Sequence, residues 1–90
     1  MRIIFTEPAL EDLKEIFTRV ATQYPHVSAS VERRLCLVLA RIERWPESAQ
    51  EVLERPGVRM VPFIRYPYKV FYRTQQSAIE ILHIHHSARG

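Results

Sequence analysis

Arg65-Tyr66-Pro67-Tyr68-Lys69-Val70-Phe71-Tyr72-Arg73, followed across Gln75-Gln76-Ser77 by Ile79-Glu80-Ile81-Leu82-His83-Ile84-His85-His86, decides how this 90-residue chain folds. Both runs are rich in β-branched and aromatic residues, and the short polar break between them makes a hairpin of strands Tyr68–Thr74 and Ile79–His85. Period-2 geometry on the first strand puts Tyr68, Val70 and Tyr72 on one side and Lys69, Phe71 and Arg73 on the other. One face is therefore apolar and aromatic, and the other carries bases. Upstream, Val58–Ile64 reads as a further strand. Its Pro62 lacks the amide donor that a central ladder uses, which marks an edge or a bulge.

Toward the N-terminus the period changes. Residues 2–5 form a short strand, after which Thr6 offers a capping hydroxyl and Pro8 suits a first helical turn. Leu10, Leu13, Ile16, Phe17, Val20, Ala21 and Tyr24 then recur in steps of three and four, until Pro25 breaks the helix. A second stripe of Val27, Val31, Leu35, Val38, Leu39, Ile42 and Trp45 predicts another helix ending at Pro46. So short a connection makes the pair an antiparallel hairpin that covers one face of the sheet. Leu13, Phe17, Val20, Val31, Leu35, Val38 and Ile42 are the expected core, with Tyr72 and Ile81 opposite them. Residues 46–57 read as a connection with helical-turn content around Ala49–Leu53, closed by the turn Arg55-Pro56-Gly57. The order β-α-α-β-β-β places the chain in the α+β class with a mainly antiparallel sheet, as a single domain over residues 1–90.

Composition narrows the function classes. With 47% hydrophobic residues and only two glycines, the chain has the makeup of a folded domain and not of a disordered tail. A single cysteine, Cys36, excludes an internal disulfide and fits a reducing cytoplasm. No apolar run is long enough for a signal peptide or a membrane span, so a cytoplasmic location without membrane contact is expected. Charge is divided unevenly. From Arg55 onward there are six bases and one carboxylate, a local +5, whereas residues 1–54 hold seven bases and nine acids. Arg59, Arg65, Lys69, Arg73 and Arg89 thus form a candidate surface for a nucleic acid or an acidic protein segment. For Lys69 and Arg73 the competing reading is a solvated outer face, the usual fate of strand charges.

His83, His85 and His86 bear on chemistry in three ways. A metal site is one, but no cysteine or carboxylate stands at a matching spacing, and Glu80 falls on the opposite face under strict alternation, so no metal is expected. Proton transfer during phosphodiester cleavage is the second, with arginines holding the charge that develops on phosphorus. Hydrogen bonding at a strand end is the third. No Ser-His-Asp pattern, glycine-rich phosphate loop or paired-carboxylate motif can be assembled, and no cofactor is expected.

The segment Val58–Arg73 together with Ile79–Arg89 resembles the C-terminal half of RelE/ParE family toxins, through the YPY-x-x-FYR phrase and the closing H-x-x-R. The N-terminal half is similar more loosely, in its short strand, Pro-started helix and Arg-rich second helix. The resemblance implies a RelE-like fold and the toxin half of a type II toxin–antitoxin pair, held in a hetero-oligomeric complex by a cognate antitoxin. RelE-like members cut mRNA on the ribosome, and ParE-like members poison DNA gyrase. For the nuclease branch the resemblance makes Lys69 similar to the hairpin base and Arg89 to the terminal arginine, with His85 or His86 as a substitute acid or base. Yet Arg59, Met60 and Pro62 stand on the preceding strand where that branch has lysines, and no tyrosine-bearing helix follows Arg89 in the sequence. The phrasing around Tyr66-Pro67-Tyr68 and His86-Ser87-Ala88-Arg89 favours the ParE-like branch. A relic that only binds its antitoxin or DNA is the third expectation.

Overall fold

Alternating apolar residues in the C-terminal half and helical stripes in the N-terminal half can bury their apolar sides only against each other, and the computed structural model, which describes residues 1–87, shows them doing so. The elements are β1 (Arg2–Phe5), α1 (Glu7–Gln23), α2 (Ser28–Arg44), β2 (Gln50–Glu51), β3 (Val58–Pro62), β4 (Tyr68–Gln75) and β5 (Ala78–His86), with a single 3-10 turn, Pro25–Val27, joining the helices. They make one five-stranded sheet in the order β1-β5-β4-β3-β2. Only the β1–β5 pairing is parallel, and the other three are antiparallel. The expected α+β architecture stands, with one addition. Gln50 and Glu51, read from sequence as part of a helical turn, instead pair with Met60 and Arg59 as a minimal edge strand. Two residues carry too little periodicity to reveal themselves. Pro62 sits on β3 beyond the reach of β2, so its missing amide interrupts no ladder on that side.

The core is the expected one. Val20, Val31, Leu35, Val38 and Ile42 from the helices meet Val61, Val70, Tyr72, Ile79, Ile81 and Ile84 from the sheet, while Leu13 and Phe17 pack at its margin. Tyr72 is fully buried, and its hydroxyl donates to the Pro46 carbonyl at 2.6 Å. Arg59 donates to the Ala49 carbonyl at 2.7 Å. These two bonds fasten the irregular stretch after α2 onto β3 and β4. Burial pushes the Tyr72 phenol above its ordinary pKa, against the opposing pull of Arg59 and Arg41.

Thr6 joins the two halves of the chain. Its side chain accepts from the Ala9 amide and so caps α1, while its hydroxyl donates to the Ile81 and Leu82 carbonyls of β5 at 2.8 and 3.2 Å. These carbonyls belong to a β-bulge. Tyr72 pairs with Ile81 and Phe71 with His83, which leaves Leu82 as the extra residue. The bulge resets the alternation of β5. Ile79, Ile81 and Ile84 are buried toward the helices, whereas Glu80, His83 and His85 pair with Arg73, Phe71 and Lys69 on the outer face. The expectation that Glu80 and the histidines lie on opposite faces is therefore corrected, because strict period 2 does not survive an inserted residue. Among the described residues, no helix is long and apolar enough to cross a membrane.

Candidate functional site on the outer sheet face

The outer face of the β4–β5 hairpin is a polar surface with aromatic rings between its charges. Lys69 holds its ammonium 5.8 Å from the centre of the Phe71 ring. Phe71 packs on His85 with ring centres 5.3 Å apart, and His85 lies 4.8 Å from His83 by the same measure. Arg73 donates through Nε to a Glu80 carboxylate oxygen at 2.8 Å. At the far end of the strand Tyr68 faces inward and meets Phe63 and His86 edge-on.

Asp12 enters this face from α1. Past the end of β1 the edge of β5 is open, and one Asp12 oxygen accepts both the Ile84 amide at 3.0 Å and the His83 Nδ1 proton at 3.2 Å. The carboxylate thus satisfies an edge donor that β1 is too short to reach. It also fixes the orientation of the His83 ring. His85 is held below its ordinary pKa, first by burial and then by neighbouring His83, with Lys69 and Arg55 adding to the effect and Asp12 opposing it. Asp12, His83 and His85 each offer a ligand atom within 4.8 Å of the others'. Asp12 gave no signal in the sequence, since an acid between two apolar positions on a helix reads as ordinary solvent-facing charge.

Among the described residues, the bases expected to form one anion-binding surface, Arg59, Arg65, Lys69 and Arg73, are dispersed. Lys69 and Arg73 share the outer face, but Arg73 is engaged by Glu80. Arg59 pairs with Tyr72 on the helix side and is engaged by the Ala49 carbonyl. Arg65 lies in the β3–β4 loop with a φ of 86° and lines a shallow depression with Arg33, Arg34 and Tyr66. That second cluster of bases, two of them from α2, left no mark on the sequence because it joins residues more than thirty positions apart. His86 lies at the inward end of β5 in a cleft with Asp12, Arg19 and Tyr68. Arg89 lies outside the described residues.

Residues 3–90 match the family model described as ParE toxin of type II toxin-antitoxin system, parDE. Among solved structures, a chain from the chromosomal ParDE toxin–antitoxin system of P. aeruginosa is similar, with a TM-score of 0.73 and 22% identity over 96% of this chain and 95% of that one. At that identity the likeness speaks for the fold. Curated protein sequences provide no match. Since the family model spans nearly the whole chain, from β1 to the C-terminus, this protein belongs to the ParE toxin family of type II toxin–antitoxin systems.

Proposed function

We propose that this toxin arrests growth by binding DNA gyrase in the cytoplasm, without hydrolysing nucleic acid, until its cognate antitoxin covers it. The observation that carries this reading is the dispersal of the bases. Phosphodiester cleavage needs cations that converge on one phosphate together with a proton carrier. Here Arg59 and Arg73 are bonded within the chain and Arg65 stands with the α2 arginines. Binding a protein target needs only shape and charge, and the ParE branch of the family supports that choice of target.

One feature favours the nuclease alternative. Asp12 orients His83, and Lys69 stands across from His85 on the neighbouring strand, which sets an acid–base pair beside a single cation. Induction without antitoxin, followed by mapping of mRNA ends and assay of gyrase supercoiling in the same lysates, separates the readings. The expected result is impaired supercoiling with intact mRNA, and growth arrest that survives His83→Gln and the His85→Gln, His86→Gln pair. Ribosome-dependent cuts that vanish in these variants would establish the nuclease instead. A chain that never arrests growth would be the antitoxin-binding relic. Arg89→Ala is expected to fold normally and lose toxicity. Antitoxin association is expected to slow with added salt, because the C-terminal half carries a local +5 that an acidic segment would neutralise.

A further inference from the structure

Asp12, His83 and His85 come from the first helix and the last strand, and they meet only because β1 stops short and the Leu82 bulge turns both imidazoles outward. We propose that these three side chains bind one late first-row divalent cation, with Zn2+ as its probe.

The donor set selects the class of ion. Two imidazoles and one carboxylate suit zinc and its transition-metal neighbours, whereas Ca2+ and Mg2+ demand shells built almost wholly of oxygen. Distances fit a closing site. Ligands about 2.0–2.2 Å from a tetrahedral zinc stand roughly 3.3–3.5 Å from one another. Asp12 Oδ2 and His83 Nδ1 are already 3.2 Å apart. All three ligand atoms lie within 4.8 Å, so the remaining approach needs only side-chain rotation of half-exposed groups. The ion would take the place of the proton that His83 shares with Asp12. Three protein ligands leave a fourth position for water or for a donor from a partner.

A second shell is also in place. The Ile84 amide donates to Asp12 Oδ2 at 3.0 Å and aims the carboxylate, as outer-shell partners do at metal sites. Phe71 packs on His85 and restricts its ring. Lys69 opposes binding, since it pairs with His85 across the two strands and its positive charge bears on that imidazole. Affinity should therefore rise when that charge is removed. Metal occupancy would tie α1 to β5 just where β1 no longer does.

The test uses the full chain freed of metal by chelation, with Cys36→Ser as background because that thiol is exposed. Zn2+ titrated at pH 7.5 is expected to give saturable binding of one ion per chain and a rise in melting temperature, since the three ligands converge only in the folded chain. His85→Gln keeps the Asp12–His83 contact and hence the fold, and should weaken binding at least ~10-fold. Lys69→Gln should strengthen it. Absence of saturable one-ion binding would overturn the proposal. So would affinity unchanged in His85→Gln, or Ca2+ and Mg2+ raising the melting temperature as much as Zn2+.

Discussion

The two faces of the β4–β5 hairpin are made of alternate residues of the same two strands, but they are held together by different forces. On the helix side Val70, Tyr72, Ile79 and Ile81 are entirely buried, and the one polar group among them, the Tyr72 hydroxyl, is bonded to Pro46. On the outer side Lys69, Phe71, His83 and His85 are half-exposed and meet through ring contacts, with His83 held by the Asp12 carboxylate. Packing energy scales with the volume and apolar area removed from water, so the inner face dominates stability. Charges near solvent are screened and individually weak, so the outer face can change its residues for binding at small cost to the fold.

This contrast is tested most severely in the core. Leu35→Ala is expected to cost about 2–5 kcal/mol, as lost burial plus a cavity, measured by urea denaturation. A variant that melts like the parent would remove the inner face from its leading role. Tyr72→Phe keeps the ring but leaves the Pro46 carbonyl without its donor, and is expected to cost about 1–3 kcal/mol.

The outer face should respond to pH before it responds to truncation. His85 is pushed below its ordinary value of 6.5 in the folded chain, so the unfolded chain takes up its proton first as pH falls. Its contribution is present above that value and is lost as pH falls through it and then through the depressed folded pKa. Denaturation midpoints should therefore decline between pH 7.5 and 5.5, and His85→Gln should flatten that decline. The smallest effect belongs to Arg73 and Glu80. Their bond is short, but the Arg73 side chain is 49% exposed, so a double-mutant cycle should return about 1 kcal/mol or less. A larger coupling would mean that the outer face is stiffer than its exposure implies.

Gln76 shows how local chemistry yields to the fold. It occupies the hairpin turn with a φ of 54°, a left-handed conformation that Asn or Gly adopts more readily. No turn signature in Gln75-Gln76-Ser77 announces it. The strands on either side, with Gln75 paired to Ala78, impose it.

Periodicity together with local residue type determines both helices, the strands of the hairpin, the Thr6 cap and nearly all of the core, because each depends only on residues a few positions apart. The basic character of the C-terminal half is likewise a property of composition. Which charges stand together is not. Strict alternation carries His83 and His85 to the side of Ile81, and the single inserted residue at Leu82 reverses them, an event that costs the ladder one pairing and leaves no mark on hydrophobic pattern. Asp12 reaches His83 across seventy-one positions because the parallel β1–β5 pairing brings the start of α1 to the open edge of β5. Arg59 leaves the basic cluster for the same kind of reason, since its register opposite Tyr72 points it to the helix side, where the Ala49 carbonyl takes it up. Short-range patterns encode which surfaces are buried, and only the assembled sheet decides which polar groups meet.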